Sequence, residues 1–163
     1  MAEPGYHAIL NEPNVFWVAA GKPGNVPDVT RLAGLAPVKN IAHVTLYLSE
    51  AFGKSILAEL KSSALLTLLV TNIHTFESYQ YKGICQSVRL CTPEEQERQR
   101  TCLNGFGDNL KKIGVLPAEA EKLSRMYFQQ PSYAIDLSVK QIYTQAPQKE
   151  AGSLIVNLED DGV

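Results

Sequence analysis

The sequence predicts a mainly β domain: a small six-stranded antiparallel barrel with one helix inserted midway and a helical pair late in the chain. Three observations carry that expectation. Short β-rich runs separated by turn residues recur up to Ser49. Apolar spacing changes from two to three and four after Ser49, and again after Thr92. Strands never alternate with helices regularly enough for a doubly wound parallel sheet. With 163 residues, 45% hydrophobic and 20% charged, the chain is sized for a single domain with one real core.

Residues 1–10 read as a loose amino-terminal arm. Val15–Ala20 is the first strand, Gly21-Lys22-Pro23-Gly24-Asn25 a turn, and residues 29–38 a returning strand whose Ala33, Gly34 and Ala36 let it pack closely. Residues 43–48 form a third, completing an antiparallel meander. Ser49 is placed as a helix cap, after which Phe52, Ile56, Leu57 and Leu60 share one face. The apolar run 64–71 has the length of a central strand, and Asn72-Ile73-His74-Thr75 bends the chain back. A long strand over 79–91 follows, with Gln80 and Lys82 on one face and Ile84, Val88 and Leu90 continuing that parity.

Thr92-Pro93-Glu94-Glu95 opens a helix, with threonine at the cap, proline at the first helical position and glutamate at the third. Leu103, Phe106, Leu110 and Ile113 give it an apolar stripe despite Gly105 and Gly107. Residues 117–128 form a second helix, ended by Pro131, and residues 133–139 alternate as a one-sided strand. Residues 156–163 read as a loose tail.

Composition and motifs exclude several functions. With 15 basic and 17 acidic residues, a net charge of -2 gives no general attraction to nucleic acid or anionic membrane. No apolar stretch is long enough to span a bilayer, and Met1-Ala2-Glu3-Pro4-Gly5 lacks the features of a secretory leader. Cys85, Cys91 and Cys102 form no close pair and read as free thiols of a cytoplasmic protein. No phosphate loop, dinucleotide fingerprint, zinc-protease motif or nucleophile elbow is present, and His7, His43 and His74 lack metal-ligand spacing.

Three polar groups remain attached to β structure. Lys54 and Ser55 lie in the opening turn of the inserted helix, where free backbone N–H groups attract an anion. Gln80 and Lys82 share a strand face, so an amide and an ammonium can meet one planar ligand; ordinary hairpin surface accounts for the same pattern. Arg31 precedes small residues that allow a ring system to approach the backbone, and either a phosphate or a surface ion pair satisfies it.

In that order along the chain, these residues resemble the pyridoxamine-phosphate-oxidase-like family of FMN-binding split-barrel proteins. The likeness covers roughly residues 11–154. It rests on the Arg31 strand, Ser49-Glu50-Ala51-Phe52-Gly53-Lys54-Ser55, the run Ser78-Tyr79-Gln80-Tyr81-Lys82-Gly83, and the closing Ile142-Tyr143-Thr144-Gln145-Ala146-Pro147. It implies a homodimeric six-stranded split barrel with flavin sites at the subunit interface. It further implies a flavin phosphate held by Arg31 and Lys54, with Leu48, Ser49 and Ser55 also at the cofactor and a backbone amide near Leu32 or Ala33 as a second donor to the flavin ring. Gln80 and Lys82 would then face the flavin from their own or the partner subunit. Phe52-Gly53-Lys54 stands where the vitamin-B6 oxidase carries Ser-Arg-Lys, and its carboxy-terminal Trp and Arg segment has no counterpart. The resemblance therefore implies an FMN-dependent oxidoreductase acting on another small molecule. A non-catalytic flavin- or haem-binding protein on the same barrel is the alternative, and no residue takes the role of catalytic acid or base.

Overall fold

The computed structural model describes residues 4–147 and 149–158. In chain order it contains a short helix α1 (Gly5–Ala8) and a single 3-10 turn (Ile9–Asn11). Strands β1 (Val15–Ala20), β2 (Asp28–Arg31), β3 (Gly34–Leu35) and β4 (His43–Ser49) come next. Helix α2 (Glu50–Glu59) leads to β5 (Leu65–Thr71) and β6 (Ser78–Leu90). The chain ends with α3 (Pro93–Lys112), α4 (Pro117–Met126), β7 (Ser132–Thr144) and β8 (Leu154–Asn157).

The strands form one curled antiparallel sheet in the order β2-β1-β5-β6-β7-β4-β3, with β8 added on β7. The described residues form eight strands, not six. The expected second strand is broken into β2 and β3, and β8 was not anticipated. The break has a topological cause. The chain leaves β1 and crosses to β4 within a few residues: Leu32 N–H donates to Phe16 O (3.0 Å), and Ala33 N–H to Tyr47 O (2.9 Å). The segment 28–35 thus borders both ends of the sheet and brings them together.

Alternation decides the interior. Phe16 and Val18 of β1, Leu46 and Leu48 of β4, Leu66 and Leu68 of β5, and Ile135 and Leu137 of β7 are all buried in one cluster. Ile56 of α2 enters the same cluster, as do Ile9 and Leu10 of the 3-10 turn. Tyr81 is fully buried there, and its hydroxyl donates to the Tyr6 carbonyl at 2.6 Å. Residues 5–10 of the expected loose arm are therefore packed against the core, and residues 156–157 of the expected tail belong to β8.

Two irregularities break the period of two. Lys82 pairs with Gln141 and Gly83 with Val139, so Lys140 is an extra residue in β7. Val139 and Ile142 consequently both face the core. The alternation legible in sequence stops at Val139 because of this bulge, while the strand continues to Thr144. A second shift lies between Cys85 and Ser87. It turns Val88 and Leu90 to the side of Ile135 and Tyr133, so they do not continue the Gln80 and Lys82 face as expected.

Helix α3 covers the outer side of β3, β4 and β7, and α4 packs on α3. Leu103 packs on Ala33, Tyr47 and Ala134, whose small alanines let the helix approach. Thr92 accepts from Glu95 N–H while the Glu95 carboxylate accepts from Thr92 N–H, the expected capping box. α3 runs unbroken through its glycines because Gly107 lies against Ser124 of α4, where a Cβ would not fit. No described helix is long and apolar enough to cross a membrane.

Candidate functional site

On the outer face of the sheet, register places cross-strand neighbours in rows. One row runs Arg31, Trp17, Leu69, Gln80, Tyr143 across five strands. The adjacent row runs Val29, Ala19, Thr67, Lys82, Gln141. Arg31, Gln80 and Lys82, remote in sequence, are thus set on one side of one surface. Arg31 and Gln80 stand three strand spacings apart, roughly 14 Å along the sheet. Trp17, Val29, Leu65 and Ile84 on this face are exposed.

Gln80 is half-buried, and its side-chain carbonyl accepts from the Gln145 amide at 3.1 Å. Lys82 lies with its Nζ 4.5 Å from the centre of the Tyr143 ring. Both line a groove of about 560 Å³ that also takes in Lys22, Lys140 and Gln141. Gly83 is obligatory beside it, since a Cβ there would collide with the Ser138 carbonyl. Sequence reasoning passed over Lys22, Lys140 and Gln145. Only Gln145, in the closing stretch of the family resemblance, left a signal.

Arg31 has a different environment. Its guanidinium is sandwiched between Phe106 of α3, 3.8 Å from the ring centre, and Tyr127 at the end of α4, 4.5 Å away. Tyr127 in turn meets Phe52 of α2, with ring centres 5.2 Å apart. Among the described residues, Arg31 Nε is buried without a hydrogen-bond partner and no carboxylate forms an ion pair with the side chain. Burial pulls its pKa below the ordinary arginine value, partly opposed by Tyr127.

The remaining expected residues are dispersed. Lys54 and Ser55 are exposed in the second turn of α2, not the opening turn expected, because the helix starts at Glu50. Leu48 points into the core, and Ser49 Oγ is buried without a partner among the described residues. The Leu32 and Ala33 amides are engaged in closing the sheet. His7, His43 and His74 sit on α1, β4 and the β5–β6 turn. No group of three or more His, Cys, Asp or Glu residues is placed to hold a metal among the described residues. Burial pushes the Cys85 and Cys91 thiols up, away from thiolate chemistry.

No protein-family model and no curated protein matches the sequence. Solved structures do match. An F420 reductase superposes with a TM-score of 0.53 at 13% identity, over 86% of this chain and 98% of that one. HupZ of Group A Streptococcus gives 0.52 at 11%, over 93% and 100%. A Lactobacillus delbrueckii protein provisionally assigned as a pyridoxamine 5'-phosphate oxidase gives 0.51 at 10%, over 87% and 93%. The fold is a split barrel. At these identities the likeness is one of architecture.

Proposed function

We propose that the chain is a homodimeric FMN-binding oxidoreductase of the cytoplasm, acting on a small molecule. One observation carries this reading. Gln80, held by Gln145, and Lys82 line a groove of about 560 Å³ on the same outward face as Arg31. That spacing suits a ring at one end and a phosphorylated tail at the other. The uncovered apolar residues of this face outside the groove, Trp17 and Val29, are what a second subunit would bury.

The residues fit the group. Arg31 offers a desolvated cation with an orphaned Nε and, among the described residues, no carboxylate to neutralise it, and a guanidinium lying against two rings would grip phosphate through its edge. Lys54 and Ser55, exposed in the second turn of α2, would add a cation and a hydroxyl for the phosphate. Gln80 supplies the amide that orients the pyrimidine edge of a ring, and Lys82 the charge beside it. FMN, when bound, supplies the electron chemistry, while the protein supplies placement and electrostatics.

The test is the visible spectrum of the purified protein followed by ligand titration. Flavin absorption supports the reading, a haem Soret band replaces it with the haem-binding alternative, and neither band leaves a bare scaffold. Lys54→Ala should weaken FMN by roughly tenfold and leave riboflavin unchanged, because only FMN carries the phosphate. Equal losses for the two ligands would remove Lys54 from the phosphate site.

A further inference from the structure

Deepening the flavin reading, on which it rests, we infer that the groove around Lys82 takes a phosphorylated small molecule, a nucleoside diphosphate in chemical class, as the second ligand of the site. Lys22, Lys82 and Lys140 converge on this one cavity, and no Asp or Glu is among the described residues that line it. The chain as a whole carries a net charge of -2, so the groove locally inverts the sign and draws anions. Lys22 reaches Glu59 only at 3.9 Å, outside hydrogen-bond contact. Lys82 rests over Tyr143 rather than on a carboxylate.

The third cation is there because of backbone geometry. Lys140 is the extra residue of the β7 bulge, and the bulge delivers Lys140 and Gln141 to the same cavity. Glycine at position 83 is what permits β6 to lie against that bulge. Bulges of this kind re-aim side chains beside functional sites.

The lysines answer to something other than the flavin phosphate. FMN carries one phosphate. With that group at Arg31, three strands from Gln80, its ring end presents no phosphate to the groove. Lys22 and Lys140, which the flavin ring does not engage, suit the charges of another molecule. Leu65 and Ile84, partly exposed on the groove floor, give a flat base an apolar surface, and Asn25 and Gln141 give its edges amides to bond.

The experiment titrates the full-length chain calorimetrically with ADP, adenosine and pyrophosphate, and follows FMN separately by quenching of its fluorescence. ADP should bind at least roughly tenfold tighter than adenosine, and its affinity should fall with added salt. The double variant K22Q/K140Q should weaken ADP at least roughly tenfold while leaving FMN within about threefold. The charge-keeping K22R/K140R should retain ADP, which separates lost charge from lost fold. Equal affinity for ADP and adenosine, or mutual displacement of ADP and FMN, would overturn the inference. FMN binding without ADP binding overturns the inference alone. ADP binding without FMN binding supports the cationic groove and removes the flavin reading instead.

Discussion

Replacing Arg31 by methionine separates the two things this side chain does. In the structure its guanidinium lies between Phe106 and Tyr127, and each such contact in a desolvated setting is worth about 0.5–2 kcal/mol. Against that stands a buried Nε without a partner, which costs about 1–3 kcal/mol. The two nearly cancel. Methionine keeps an unbranched stem between the rings and removes the orphaned donor. Arg31→Met should therefore stay within about 1 kcal/mol of the parent, whereas Arg31→Ala should lose about 1–3 kcal/mol because the rings lose the stem they pack on. Urea unfolding followed by far-ultraviolet dichroism measures both. The same Arg31→Met protein should lose FMN affinity by roughly ten- to a hundredfold, the value of a charge-assisted phosphate contact, and keep riboflavin. A loss of stability above about 3 kcal/mol in Arg31→Met would refute the near-cancellation and show that the charge itself fastens the helical pair. Unchanged FMN affinity would remove Arg31 from the phosphate site.

Three further outcomes follow from the geometry. Gly83→Ala should destabilise by about 1–3 kcal/mol through overpacking against the Ser138 carbonyl, read as a lower urea midpoint, and should weaken ADP binding by displacing the bulge. Thr92→Ala removes half of the capping box at the head of α3 and should cost about 0.5–2 kcal/mol in the same assay. Alkali should unfold the protein through its buried tyrosines. Burial pushes Tyr47 and Tyr79 up to about 12, and Tyr81 higher still. A tyrosine of the unfolded chain ionises near ~10, so below that pH neither state is favoured by these groups. As pH rises beyond it, only the unfolded chain ionises readily, and stability falls until the folded tyrosines titrate too. A urea midpoint that stays flat through this window would refute the burial argument.

Much of the fold was legible because it is written in local chemistry. The Thr92-Pro93-Glu95 cap, the inserted helix after Ser49 and the interior alternation of β1, β4 and the first half of β7 depend on neighbours two to four residues away. The parts that were not legible depend on pairing. β7 was cut short at Val139 because an extra residue, Lys140, breaks the period of two. Val88 and Leu90 were set on the wrong face for the same kind of reason. The second strand was drawn as one piece, since nothing in residues 28–35 records that its two ends border different strands. β8 was missed because Leu154–Asn157 is too short to show a period and becomes a strand only by pairing with β7.

The candidate site divides the same way. Residue type and order alone marked Arg31, Lys54, Gln80 and Lys82, since cations and amides on β structure near a helix start are visible in any linear reading. Register decided what they face: Gln80 toward Gln145, Lys82 over Tyr143 beside Lys22 and Lys140, Arg31 between two rings of a helical pair more than seventy residues away in sequence. A shift of one residue in a strand exchanges its two faces. The sequence therefore determined the mainly β class, the helix starts and the cast of polar residues, while only strand pairing decided which of them share a surface.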